Sequence, residues 1–133
     1  MDEASATCQS LGGFLGAPVG SIATSLIAIM EPWDKYWVNL RQEPGALAKD
    51  AGWYWLLPDN TTLPIPVGFP WATNEPSNDG EVEDVGAIYH RGFEDIAKWY
   101  KKDGAVCHHY HEHLNNYHLY HYHLNDKHYH FND

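Results

Sequence analysis

The sequence predicts an α+β fold with two helices, small antiparallel sheets and a long irregular loop, followed by a His/Tyr-rich C-terminal extension. Two early segments carry apolar residues at helical spacing, and several later segments alternate aromatic residues as strands do. The chain has 133 residues, of which 44% are hydrophobic and 14% aromatic. A single folded domain with a substantial core is expected for this length and composition.

Charge narrows the choice of partners. The formal net charge is −10 with the histidines neutral. This argues against nucleic acid and anionic membrane surfaces, and it suits cations or neutral polar ligands. The sequence contains no run of about eighteen apolar residues, so no membrane span is expected.

Two helices are predicted near the N-terminus. The spacing of Ala4, Cys8 and Leu11 predicts a helix over 2–11, with the two glycines that follow as its stop. A second helix is predicted over 21–30, and its first residue, a serine, is expected to cap it.

Four short segments are predicted as strands, and in one of them Trp53, Trp55 and Leu57 alternate with a period of two. The predicted strands cover 36–40, 53–57, 85–89 and 105–109. Four prolines between 64 and 76 predict a long irregular segment with little strand pairing. Such a loop inside a compact domain is usually functional.

The composition changes after Cys107. Residues 108–133 hold nine of the ten histidines and five of the nine tyrosines. A His-x-His unit, an apolar residue and an Asn-Asn or Asn-Asp pair recur at 111–116, 121–126 and 128–133. The His-x-His units are predicted as strand and the Asn pairs as bends. We therefore divide the chain into a domain over 1–107 and an appended module over 108–133.

Several motifs, in the same order and at similar separations, resemble those of the C-type lectin-like domain. The resemblance covers most of the chain, from about residue 2 to about residue 109. The motifs are Cys8-Gln9-Ser10-Leu11-Gly12-Gly13, Tyr36-Trp37-Val38-Asn39-Leu40, Trp53-Tyr54-Trp55, Glu75-Pro76-Ser77, Glu83-Asp84, Phe93-Glu94-Asp95 and Ala105-Val106-Cys107. The resemblance implies the C-type lectin-like fold and a cis peptide bond between Glu75 and Pro76.

The chain departs from this family in two respects. The family's second disulfide is absent, because its positions hold Val85 and Lys98. Cys8 and Cys107 match the family's longer disulfide, whereas the cysteine count alone leaves open a disulfide or two unrelated thiols. The family's first strand, which precedes the first helix and pairs with the last strand, has no counterpart. Either the sequence is incomplete there or another segment supplies that strand.

Seven carboxylates and a single base, Arg91, lie between Glu75 and Asp95. Like charges at this density need neutralising. Calcium, a hard ion that takes about six to eight oxygen ligands, is the natural candidate; a solvated acidic surface loop is the other interpretation. The resemblance places the calcium ligands on Glu75, Ser77, Glu83, Glu94 and Asp95, with Asn78 and Asp84 at an auxiliary site.

The resemblance also implies that the calcium ion takes two hydroxyls of a sugar, with contacts from Glu75, Ser77, Glu83 and Glu94. Where the family has amide side chains, Ser77 offers one donor and ionised Glu94 only accepts. Hydroxyls left without donors bind more weakly. We therefore predict calcium binding with altered or weak monosaccharide recognition.

The tryptophans divide into two groups. Trp37, Trp53 and Trp55 are predicted to lie in the core, because aromatic residues of strands usually pack there. Trp71, just ahead of the acidic loop, has two interpretations: a core residue or a surface on which a sugar ring stacks.

The tail suggests either metal binding or strand pairing. Alternate residues of a strand share a face. The tail histidines would therefore form three groups on such faces: one of His109, His111 and His113, one of His121 and His123, and one of His128 and His130. Paired imidazoles suit zinc or copper, and a polar extension without a metal role is the other interpretation. Because Tyr–His alternation has good β propensity, the tail could also supply the missing first strand, in its own subunit or in a neighbour's.

The leading interpretation is a secreted, calcium-dependent carbohydrate-recognition domain that binds glycans or glycoproteins. The alternative is a structural protein that assembles into a homo-oligomer or filament, keeping the lectin scaffold and using the tail for subunit or metal contacts. The sequence has no nucleophile elbow, phosphate loop or HExxH motif. We therefore do not expect an enzyme.

Overall fold

The structure is a computed structural model that describes residues 2–78, 83–97, 102, 104–111, 114–121 and 131–132. Its elements are α1 (Asp2–Ser10), β1 (Phe14–Leu15), α2 (Ser21–Ile29), β2 (Lys35–Gln42), β3 (Trp53–Leu56), β4 (Thr62–Pro64), β5 (Val85–Tyr89), β6 (Gly92–Ile96), β7 (Gly104–His111), β8 (Leu114–His121) and β9 (Phe131–Asn132). The predicted α+β class, with two helices and a long irregular loop, is confirmed.

Both predicted helices form, but the second is capped differently from the prediction. After α1, Gly12 has a φ of 81°, a conformation that suits glycine and ends the helix. The N-cap of α2 is Gly20, and no side chain caps this helix. The prediction that Ser21 is the cap is wrong, since Ser21 is the first residue of the helix itself. None of the helices in the described part of the chain is long and apolar enough to cross a membrane.

The sheet is built around β2 and β7. Strand β2 pairs antiparallel with β3 and β5, and parallel with β7. Trp37, Trp53 and Trp55 are all nearly fully buried, so their predicted place in the core is confirmed. The main core lies between these strands and α2, whose Leu26 is completely buried.

A disulfide bond joins Cys8 of α1 to Cys107 of β7. It lies in a second, smaller apolar cluster, which also contains Ala4, Leu15 and Trp37. The pairing that the resemblance implied is therefore confirmed.

Strand β8 comes from the His/Tyr-rich tail and lies antiparallel to β7 along the full length of both strands, from Gly104↔His121 to His111↔Leu114. The other edge of β7 carries β1 and β2. The side chains of Tyr117 and Leu119 are buried in the main core. The tail thus supplies, within its own chain, a strand beside the last strand of the domain. The division into two units after residue 107 stays a prediction.

Strand pairing overrides the local turn preference inside β8. Asn115 and Asn116, predicted as a bend, lie within the strand opposite Tyr110 and His109. That part of the repeat prediction is wrong, because a continuous ladder with β7 outweighs the tendency of adjacent asparagines to form turns.

The long irregular loop is fastened to β6 by backbone hydrogen bonds. The Ala72 N–H donates to the Phe93 carbonyl at 2.8 Å, and the Phe93 N–H donates to the Pro70 carbonyl at 3.0 Å. Gly92 has a φ of 124°, and a Cβ atom there would lie 2.5 Å from the Pro70 oxygen. Glycine is therefore required at position 92, and the close approach that it allows brings the acidic part of the loop beside β6.

Candidate functional site

The acidic loop is anchored on Asp95 of β6. The Glu75-Pro76 peptide bond is cis, as the resemblance implied. Directly after it, the backbone N–H groups of Ser77 and Asn78 donate to the two carboxylate oxygens of Asp95, at 2.8 and 2.5 Å. Asp95 is 2% exposed. These two N–H groups therefore compensate the buried negative charge of Asp95, and Asp95 in return fixes the position of the turn.

Ser77 connects two of the predicted ligands. Its hydroxyl donates to Oε1 of Glu83 at 2.8 Å and also lies 3.4 Å from Oδ1 of Asp95. Glu83 is buried, although it lies on the short segment just before β5. Two carboxylates and one hydroxyl therefore converge from the loop, from the segment before β5 and from β6.

Glu75 adds a third carboxylate to this group. Burial raises the pKa of Glu75 to about 8, helped by its hydrogen bond with Asp95 and by the negative charges of Asp95, Glu94 and Glu83. Its Oε2 atom is buried and has no hydrogen-bond partner. The Glu75 carboxyl is thus protonated near neutral pH unless a cation takes the place of the proton.

Glu94 faces two ammonium groups. The Lys102 Nζ atom lies 2.8 Å from its Oε1, and the Lys35 Nζ atom lies 3.4 Å away. Both lysines lie outside the acidic segment, in which the sequence has one base, Arg91. Sequence reasoning missed both residues because only the fold brings position 35, at the start of β2, and position 102, just before β7, beside β6.

Asn78 and Asp84, predicted for an auxiliary site, line a separate cleft of about 470 Å³. Its other walls come from the loop after β2, between Gln42 and Lys49. The Gln42 side-chain amide donates to the Ala48, Lys49 and Ala51 carbonyls, which shapes this loop. The two predicted auxiliary residues therefore do share one cleft, next to the Asp95 anchor.

The donor atoms match a hard cation in their chemistry. Glu75, Ser77, Glu83 and Asp95 offer only oxygen ligands, which calcium prefers, and the buried Glu75 Oε2 has no partner. Within the described residues, however, no three His, Cys, Asp or Glu side chains are grouped closely enough to hold an ion in their present positions. An ion would therefore require a closer grouping of these carboxylates.

Trp71 is half-buried and packs toward the core. Its ring lies edge-on to Trp53 and to Phe69, with centroid distances of 5.1 and 5.0 Å. These contacts support the core interpretation of Trp71. They also brace the loop that carries Glu75.

The tail histidines fall partly within the described strands. His109 and His111 lie on β7, and His121 lies at the far end of β8 opposite Gly104. The predicted partners His113, His123, His128 and His130 lie outside the described residues.

Comparison with known proteins identifies the fold. No protein-family model and no curated protein matches the sequence. Among solved structures, the C-type carbohydrate-recognition domain of cow CD23, crystallised in the presence of a GlcNAc2Man3 oligosaccharide, matches with a TM-score of 0.60. The match has 22% sequence identity and covers 80% of this chain and 76% of that chain. The chain has the C-type lectin-like fold.

Within the C-type lectin-like fold, the predicted site residues fall into three groups. Glu75, Ser77, Glu83 and Asp95 lie together. Asn78 contributes its backbone N–H to that group and also lines the neighbouring cleft with Asp84. Glu94 instead forms ion pairs with Lys102 and Lys35.

Proposed function

We propose that this chain is an extracellular, calcium-dependent carbohydrate-binding lectin domain. The observation that carries the proposal is that the Ser77 hydroxyl contacts the Glu83 and Asp95 carboxylates, while Glu75 forms a hydrogen bond with Asp95. A buried oxygen of Glu75 lacks a partner within this group. Such a group is short of positive charge, and a divalent ion with oxygen ligands would supply it.

Each residue has a distinct part in the proposal. Asp95 holds the turn through the backbone of Ser77 and Asn78. Glu75 and Glu83 hold the ion, and they accept hydrogen bonds from sugar hydroxyls. Ser77 is the one side-chain donor among the four residues. When bound, calcium would supply the remaining attraction for two hydroxyl oxygens of a sugar.

Sugar recognition is expected to be weak or altered. Ser77 donates a single hydrogen bond, which Glu83 already accepts. Glu94, where the resemblance places an amide, is held by Lys102 and Lys35. Sugar hydroxyls at this site would therefore lack two amide donors, and the affinity for a monosaccharide falls accordingly.

The disulfide supports an extracellular location. Both cysteines of the chain are joined in it, so no free thiol is left. Structural disulfides form and persist in oxidising compartments and are rare in the cytosol.

Calcium binding is tested by isothermal titration calorimetry on protein stripped with a chelator. We expect a dissociation constant on the order of 0.1–1 mM, the range of extracellular calcium modules. Glu83→Gln keeps an acceptor for the Ser77 hydroxyl but loses a charge, and it should weaken binding at least tenfold. Glu31→Gln, which changes an exposed carboxylate elsewhere, is the matched control. Absence of binding at 10 mM calcium would contradict the proposal.

Carbohydrate binding is tested on a glycan array, in calcium and again in excess chelator. We expect retention of oligosaccharides in calcium that disappears in chelator, with little retention of single monosaccharides. Binding that persists unchanged in the chelator would show that the sugar site does not depend on the ion.

Self-assembly through the tail is the weaker proposal. Strand β8 pairs with β7 of its own chain, and the connection between them is only two residues long. Short hairpin connections favour pairing within one chain. Light scattering with and without chelator distinguishes the two proposals, because assembly through the tail should survive removal of calcium.

A further inference from the structure

Two cations contact Glu94, and they differ in burial. The Lys102 side chain is 6% exposed and the Lys35 side chain 40%, while Glu94 itself is 10% exposed. A lysine is almost never buried unless its charge is paired. In the described part of the chain, Glu94 is the carboxylate that pairs with Lys102, at 2.8 Å. Lys102 and Glu94 therefore form a buried ion pair, and Lys35 is a second, more exposed cation beside Glu94.

Glu94 also belongs electrostatically to the acidic group. It precedes Asp95 on β6, and its charge acts on Glu75. A carboxylate in this position would attract a divalent ion strongly if it were free. The Lys102 ammonium already supplies one positive charge at that place, so part of the attraction of the acidic group for an ion is cancelled.

We propose that Lys102 is an internal counter-cation that withholds Glu94 from the calcium site and thereby sets the affinity of this site for calcium. The inference rests on the proposed calcium binding. The effective ligands are then Glu75, Ser77, Glu83 and Asp95, and a calcium ion gains Glu94 only by displacing the Lys102 ammonium.

The central test compares the calcium affinities of lysine variants by isothermal titration calorimetry. Lys102→Met removes a buried charge beside Glu94 and should tighten calcium binding about tenfold or more. Lys102→Arg keeps the charge and should stay within about threefold of the wild type. Lys35→Met removes an exposed charge at a longer distance, and it should also change the affinity less than about threefold.

A double variant separates the ion pair from a general charge effect. If Lys102 acts through Glu94, Glu94→Gln combined with Lys102→Met should abolish most of the gain seen in Lys102→Met alone. A metal-free measurement accompanies it. In chelator, Lys102→Met should lower the midpoint of thermal unfolding by leaving the buried Glu94 carboxylate with only the exposed Lys35 as a partner, and the double variant should recover most of that loss.

The outcomes separate this inference from the proposed function. A folded Lys102→Met variant with wild-type calcium affinity would overturn the inference and leave the calcium proposal standing. Calcium binding in the variant but not in the wild type would overturn the proposed function of the wild-type chain and support the inference, with Lys102 suppressing the site completely. Absence of binding in both would overturn both. Should Lys102→Met fail to fold, Lys102→Gln, whose amide can still donate to Glu94, gives the same comparison.

Discussion

The Glu75 carboxyl lies close to three other carboxylates, and its pKa is raised to about 8 by burial, by its hydrogen bond with Asp95 and by their charges. The folded protein therefore binds a proton at Glu75 over a pH range in which the unfolded chain does not. Whatever neutralises Glu75, whether a proton or a metal ion, also stabilises the fold around it. The pH dependence of the unfolding midpoint therefore reports the protonation of Glu75 within the acidic group.

In chelator, the stability of the protein should fall as the pH rises from the ordinary pKa of Glu75, 4.5, through about 8. The reason is linkage: a carboxyl whose pKa is raised by folding stabilises the folded state only while it is protonated. Glu75→Gln cannot ionise, so it should flatten this decline. The measurement is the thermal unfolding midpoint against pH for both proteins, with Glu31→Gln as an exposed control. Equal slopes in wild type and Glu75→Gln would contradict the assignment.

Some residues of the site could be predicted from the sequence, and the surroundings of others could not. The oxygen ligands Glu75, Ser77, Glu83 and Asp95 could be named from motif spacing, because the family pattern specifies their separations. The environment of Glu94 could not, because Lys35 lies 59 positions away along the chain and nothing local marks it as a partner. Pairings between distant charges depend on the strand register, which a single sequence does not define.

At the scale of secondary structure elements, β8 decides how the sheet is completed. The sequence indicated, through the family resemblance, a strand beside the last strand, which the tail was one candidate to supply. It could not show that β8 begins at Leu114, because the Asn pair at 115–116 favours a turn locally. The register is set instead by the core, since Tyr117 and Leu119 must both face inward.

Because β8 contributes to the core, a conservative change in the tail should destabilise the whole domain. Leu119 is 2% exposed, and Leu119→Ala should lower the free energy of unfolding by about 2–4 kcal/mol. Leu47→Ala, at a fully exposed position, is the matched control and should change it by less than about 0.5 kcal/mol. Urea denaturation measures both. If Leu119→Ala were as stable as the control, β8 would not be part of the folded core.

At the scale of the whole molecule, two connections join the ends of the chain to the sheet. Strand β8 brings the C-terminal segment onto β7, and the disulfide fixes α1 to the same strand. Both connections meet at Cys107, which pairs with His118 of β8 and with Leu15 of β1. The acidic loop is not fastened there; it is held by β6, on the other side of β2. The hydrogen bonds that hold the acidic loop are therefore separate from the connections at Cys107, although Val85 and Ile96 of β5 and β6 pack in the apolar cluster of the disulfide.

This separation gives a prediction about the disulfide. It links positions 99 apart, and removing a link of this span should lower the free energy of unfolding by about 4–5 kcal/mol in the chain-entropy model. The variant that carries Cys8→Ala and Cys107→Ala should show this loss in urea denaturation, and the wild type in reductant should approach it. The variant itself should be insensitive to reductant. Where it is still folded, its calcium affinity should lie within about threefold of the wild-type value, because the hydrogen bonds that hold the acidic loop to Asp95 involve neither cysteine. A large loss of calcium affinity in a folded variant would show instead that the disulfide positions the acidic loop.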